Sequence, residues 1–213
     1  MGWSQWKWKF LNVMNERIDP DLGVTPAWAD TLTTEQMIEG YFLATIKAVG
    51  TLFREDLYGH TLVIIYSTID TCGLLDSPPS QTSATGDSFK AWVKRYMLIQ
   101  PDIEFNDVDM WGARCSILHT FTSESGHSKS GKARELQYYS GDKAAPHVQQ
   151  FVSFTKTHDG GKHLPIHFGD LCEAFFQAIK AFVPDLNANC QSSKPYQQRL
   201  RKIMQVHPYG PAS

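Results

Sequence analysis

Arg114 and His119 are the side chains best suited to chemistry, set in Gly112-Ala113-Arg114-Cys115-Ser116-Ile117-Leu118-His119-Thr120. A guanidinium offers paired donors to an anion, and an imidazole exchanges a proton near neutral pH. Burying a guanidinium without a partner is costly, so Arg114 must face a cleft or a carboxylate. Five steps of about 100° separate the two residues by roughly 140° on a regular helix. One flat helix face cannot hold both. Convergence requires a helix end near His119 or a second subunit that completes the cleft. The same residues also fit a plainer arrangement, an Arg paired with an internal Asp and a His near a helix C-terminus, where a cation is favoured.

These residues need a scaffold, and the hydrophobic spacing predicts a mainly helical one. Thr33 and Gln36 form a capping-box pattern ahead of Ile38, Tyr41, Phe42, Thr45, Ile46, Val49, Leu52 and Phe53, which recur at three- and four-residue steps. That helix is expected to end near Tyr58-Gly59. The run from Leu62 to Leu75 is rich in β-branched residues but too long for an ordinary strand, so it reads as a buried helix. Asp70 lies within it and needs a partner or water. Ser88–Met97 reads as a third helix, and Asp107 or Asp109 starts the fourth, which carries Arg114 and His119. Partial alternation over Ala133–Tyr139 and His147–Phe154 suggests a short strand pair, a β-hairpin inserted into the bundle. Phe168–Val183 reads as a long helix ended by Pro184, and the basic stretch around Gln198–Lys202 as a last short helix. The expected fold is therefore mainly α, a bundle of four to five long helices in a single domain, with its core over about residues 33–183. An aromatic N-terminal segment (residues 1–30) precedes it, with Trp3, Trp6 and Phe10 as a helical stripe, and a loose tail (190–213) follows.

Composition narrows the function classes. With 213 residues, 42% apolar and 20% charged, the chain is ordinary globular material. Its 20 basic and 22 acidic residues exclude a histone-like polycation. No run of about 18 apolar residues suggests a membrane span, so a soluble cytoplasmic protein without a membrane partner is expected. Cys72, Cys115, Cys172 and Cys190 form no Cys-x-x-Cys pair and read as reduced thiols. Gly59, Gly73 and Gly86 fit no phosphate-loop pattern, which disfavours P-loop and dinucleotide-binding enzymes.

Arg-x4-His on the last core helix of an all-helical bundle, with an acidic residue on a preceding helix, resembles the HEPN superfamily over roughly residues 35–183. The polar, basic stretch Ser123–Arg134 is similar to that of bacterial and plasmid members. The resemblance implies a metal-independent endoribonuclease without a cofactor, acting as a homodimer whose two motifs line one cleft. A defence or toxin–antitoxin setting, with an antitoxin or defence-system partner, goes with it. Arg114 would hold the scissile phosphate and His119 would act as general acid/base. Asp70, or failing it Asp76, would orient one of them. Attack by an RNA 2′-OH on the adjacent phosphate needs such a proton exchange, and a guanidinium meets the charge that builds on the phosphate. His127, Lys129, Lys132 and Arg134 would contact RNA. Some toxin members carry a Tyr two residues after the His as an adenylylation target; here Phe121 stands there. Other members bind nucleotide or RNA without cutting it, so a non-catalytic binding module remains the alternative.

Two further groups of residues could carry a site. His158, His163 and His167, with Asp159 and Asp170 nearby, could in composition hold zinc or manganese, but a Gly-Gly turn and a Pro separate them and no metal site is expected. Tyr138, Tyr139, Phe151 and Phe154 fit either a stacking platform for single-stranded bases or core packing.

Overall fold

The computed structural model describes residues 33–100, 103–122 and 126–203, so the Trp3/Trp6/Phe10 stripe lies outside the described residues. Helix α1 (Thr34–Arg54) starts from the expected capping box, with Gln36 N 3.2 Å from Thr33 Oγ1 and Thr33 N 2.9 Å from Gln36 Oε1. It stops four residues short of Tyr58, where Asp56 takes a left-handed backbone (φ 55°) and accepts a hydrogen bond from the Tyr58 hydroxyl. Helix α2 (Tyr58–Asp76) is the β-branched run, helical throughout and apolar on nearly every side, because α1 and the next two helices enclose it. At Gly73 the backbone of Ser88 comes so close that an added Cβ would sit 2.7 Å from its carbonyl oxygen. Any larger residue there would push α2 off its neighbour.

Helix α3 (Gly86–Trp92) has its own capping box at Thr85 and Ser88, and continues as one wide π turn over Val93–Met97. Helix α4 (Asp107–Thr120) is capped by Asn106, whose side chain accepts from the backbone N–H of Val108 and Asp109. Asp109 returns the bond to Asn106 N at 3.1 Å. A single turn, α5 (Gly126–Lys129), follows.

The small sheet differs from the expected hairpin. Strand β1 (Glu135–Tyr139) pairs in parallel with β2 (His163–His167), Glu135 opposite His163 and Tyr139 opposite His167. Between them, His147–Phe154 belongs to helix α6 (Pro146–Thr157), which makes the crossover that a parallel pair needs. Pro146 opens α6, and Val148, Phe151, Val152 and Thr155 follow the helical three–four step, with Val148 and Thr155 buried. The apparent alternation is the same residues seen at the wrong period.

Helix α7 (Phe168–Ser192) runs through Pro184 instead of stopping before it. Pro184 is exposed, and Phe182, Leu186 and Cys190 on either side of it are buried, so the helix continues through the one bond that proline cannot donate. Nor is the end of the described chain loose. Cys190 is buried on α7 and Leu200 is buried on α8 (Lys194–Ile203). Arg199 reaches from α8 to four carbonyl oxygens, those of Leu74, Ser77, Pro78 and Gln81, all at 2.7–2.8 Å. Those bonds tie the Leu74 carbonyl in the last turn of α2, and the loop that follows it, to α8.

The result is mainly α, with one core in which Phe42, Tyr66, Phe89, Trp92, Phe175 and Phe182 are wholly buried. Among the described residues, no helix is long and apolar enough to cross a membrane. Helices α2 and α4 pass each other in opposite directions: Asp70 meets Arg114, while the earlier Gly59 meets the later Phe121.

Candidate functional site

The three residues singled out for chemistry meet on the seam between α2 and α4. Asp70 Oδ2 accepts from Arg114 Nε at 2.8 Å and from Nη2 at 2.6 Å. The remaining nitrogen, Nη1, lies 3.4 Å from His119 Nε2. A guanidinium only donates, so in this contact His119 Nε2 accepts and the ring proton sits on Nδ1. The side chains of Arg114 and Asp70 are 20% and 15% exposed, so the pair is largely withdrawn from water, whereas His119 is exposed.

One chain suffices for this convergence. The helical offset between Arg114 and His119 is bridged by the length of the arginine and by the nearby end of α4, where Phe121 turns left-handed (φ 56°, ψ 33°). No second copy is required to bring the two together. Trp111 is half-buried, 5.4 Å from the Phe89 ring and close enough to Gly86 that a Cβ there would sit 2.9 Å from it. Its ring lies 5.1 Å from the Arg114 guanidinium, a cation–π contact. Cys115 sits beside the pair; burial raises its thiol pKa against the lowering influence of Arg114, so it stays a neutral thiol.

Asp76, the substitute acidic residue, belongs to another cluster. It accepts from Arg95 Nη1 at 3.3 Å and from the Tyr96 hydroxyl at 3.2 Å, and Asp185 shares both partners. Burial raises its carboxyl pKa, opposed by Arg95 and the Tyr96 hydrogen bond.

The basic residues expected at RNA divide. Arg134 donates from Nε (3.1 Å) and Nη2 (2.6 Å) to Asp109 Oδ2, and from Nη2 to the Glu104 carbonyl at 2.7 Å. Its backbone N–H also reaches Asp109 Oδ1 at 2.8 Å. With the Asp109 side chain 2% exposed, this is a strut that ties the approach to β1 onto the start of α4. Arg134 thus has Nε and Nη2 committed inside the protein. Lys129 and Lys132 occupy exposed positions on the segment leaving α4, and His127 is half-buried there, its carbonyl accepting from Lys132 and Ala133.

The histidines of the second group converge only in part: the rings of His158 and His163 lie 5.5 Å apart, while His167 packs on Tyr139. His158 stacks on Phe154 at 4.9 Å, and His163 Nδ1 is 3.9 Å from Glu135 Oε2. His167 lies against the Gly141 carbonyl at 3.1 Å, with its Nδ1 3.5 Å from Asp170. Among the described residues, no group of three or more His, Cys, Asp or Glu side chains could hold a metal ion. The four aromatics also separate. Tyr138 turns inward and pairs its hydroxyl with that of Tyr66 in a buried contact, where burial raises the pKa of both phenols. Tyr139 packs on Phe151 at 5.6 Å, and only Phe154 points mainly outward.

The sequence reading passed over two neighbours of this seam, the aromatic contact of Phe121 with Gly59 and His60, and the role of Asp109. No spacing rule exposes the first, which depends on how α2 and α4 cross. Asp109 was noted only as a helix start, although a carboxylate at the third position of a capped helix carries a capping signal. No protein-family model matches this chain, and neither a curated protein nor a solved structure matches it.

Proposed function

We propose that this protein is a HEPN-like, metal-independent endoribonuclease that cleaves RNA through attack of the 2′-OH on the adjacent phosphate. What supports the reading is the meeting of Arg114, Asp70 and His119 at one partly open point of a mainly helical body. Arg114 holds the phosphate and meets its growing negative charge, using Nη1 and whatever face Asp70 leaves open. Asp70 fixes the guanidinium plane. His119, exposed and with Nε2 free of any committed proton, takes the 2′-OH proton or supplies one to the leaving 5′-oxygen. A homodimer that sets two such seams on one cleft, and an antitoxin or defence partner, complete the proposal. Lys129 and Lys132 supply backbone contacts.

Purified protein incubated with labelled RNA in EDTA should release fragments ending in a 2′,3′-cyclic phosphate or a 3′-phosphate. His119→Ala should lower the rate by about 10²–10⁴, the usual contribution of a positioned acid/base. DNA, without a 2′-OH, should bind and survive. Cleavage that is indifferent to His119→Ala rejects the mechanism.

A second reading, a non-catalytic module that binds RNA or nucleotide, gains from one observation: Asp70 already engages two of the three guanidinium nitrogens. RNA binding without turnover, retained in His119→Ala, would favour it.

A further inference from the structure

Phe121 is a large apolar side chain in an unusual state. It leaves α4 in the left-handed backbone region (φ 56°), which bulky residues seldom adopt, and it is 56% exposed. Left-handed helix ends are ordinarily given to Gly or Asn, and holding another residue there costs stability. The ring is nonetheless held in place. Its tip rests on the backbone of Gly59, where an added Cβ would lie 2.6 Å from Cζ and 2.7 Å from Cε1. The exposed imidazole of His60 meets it edge-on, with centroids 5.8 Å apart at 60°. Glycine at position 59 is therefore what allows the ring to lie against α2, and the ring's remaining surface faces solvent. Phe121 follows His119 by two residues and Arg114 by seven, about 10 Å along α4. The seam between α2 and α4 thus carries a guanidinium and an imidazole followed by an outward-facing aromatic ring on a rigid support.

We infer that Phe121, backed by Gly59 and His60, is a base-binding platform on which the nucleobase next to the phosphate at Arg114 and His119 stacks. The inference rests on the proposed RNA-cleaving reading for the phosphate position, and adds to it a site that reads the neighbouring base. An aromatic face accepts any base, because every base has a π-face, so the platform confers single-strand preference more than sequence choice. A duplex keeps its bases stacked on each other and cannot use it.

The test uses binding, which does not depend on turnover, alongside cleavage. A short single-stranded RNA carrying 2-aminopurine is titrated into the His119→Ala protein and into the same protein with Phe121→Ala, Phe121→Leu or Phe121→Trp. Stacking quenches the fluorophore. Phe121→Ala and Phe121→Leu should weaken binding by about 5- to 150-fold, the span of alanine-substitution effects at base-stacking aromatics, and abolish the quench. Phe121→Trp should retain both. An abasic nucleotide at the stacked position should cost as much as Phe121→Ala and add nothing to it. Because Phe121 is 56% exposed and its replacements keep the same left-handed backbone, each should melt within a few degrees of the parent protein, which separates a binding defect from misfolding. Equal affinities for all four proteins overturn the platform while wild-type cleavage in EDTA still stands or falls separately. Phe121-dependent binding without any cleavage keeps the platform and rejects the nuclease. A Phe121→Ala defect in self-association by light scattering, with binding unchanged, overturns the platform in favour of a contact between copies, and absence of binding to any strand overturns it outright.

Discussion

Replacing Asp70 by Asn preserves size and one acceptor while removing the charge that faces Arg114. Wild-type Asp70 Oδ2 takes two charge-assisted bonds, at 2.6 and 2.8 Å, in surroundings that leave the two side chains 20% and 15% exposed. Hydrogen bonds to charged groups contribute about 1.5–3 kcal/mol each, but two that share one oxygen are not additive. The amide oxygen recovers a neutral bond of about 0.5–1.5 kcal/mol. The net loss is about 1–2 kcal/mol, which for a chain of this size lowers Tm by roughly 2–8 °C. Thermal unfolding followed by circular dichroism measures it directly. The pair is mostly shielded from solvent, so the difference should persist in high salt. A double-mutant cycle with Arg114→Gln should return a coupling of about 1 kcal/mol or more. RNA cleavage, assayed well below the melt, should fall more than 10-fold because Arg114 is no longer held beside His119. If Asp70→Asn melts within about 1 °C of wild type, below the range expected for the loss, and the coupling vanishes, the pair is a surface contact and the site as described is wrong. If stability falls but cleavage does not, Asp70 is structural only.

Asp109→Ala strips the buried partner from Arg134 and should cost about 2–4 kcal/mol, below the range for a wholly buried pair because Arg134 is about a third exposed; urea unfolding reads it, and Arg134→Ala in the same background should add little. Arg134→Ala should accordingly reduce stability more than RNA affinity, whereas Lys129→Ala and Lys132→Ala should do the reverse in a salt-dependent manner. Asp76 titrates above its usual range because burial outweighs Arg95, so its protonated form is favoured by folding. That contribution is present at low pH and is lost as pH rises through the raised value. Asp76→Asn, which mimics the protonated state, should therefore compare best with wild type near pH 7 and lose ground as pH falls toward 4, as Tm measured across that range will show.

How much of this was legible depended on whether a signal was local. The length of the Leu62–Leu75 run identified a buried helix despite its β-branched content, and a lone carboxylate in that run correctly demanded a partner. Asp70 finds Arg114, the guanidinium that posed the same demand from the other side. His147–Phe154 offers two periods, one alternating and one helical, and Pro146 with the Val148/Phe151/Val152/Thr155 spacing decides for a helix over a hairpin strand. Pro184 does not end α7 because Leu186 and Cys190 beyond it are buried against the body of the protein, which residue order does not state. Arg134 looked like a loop cation because Asp109, its partner, lies 25 residues earlier. A helix crossing sets the contact of Phe121 with Gly59, and no spacing within either helix encodes it.

Arg199 bonds to carbonyls that precede it by 118 to 125 residues. During synthesis, the end of α2 therefore emerges and must wait for its stopper. At about 5–20 residues per second, the delay is about 6–25 s. For that interval the end of α2 is held by Ser88 against Gly73 and by Arg95 and Tyr96 on Asp76, and the Arg114–Asp70 pair forms before Arg199 adds its bonds. The site's acidic residue is thus held first by its neighbour across the seam and only later by the finished length of the chain. A protein interrupted before α8 would carry all three site residues on a less firmly anchored α2.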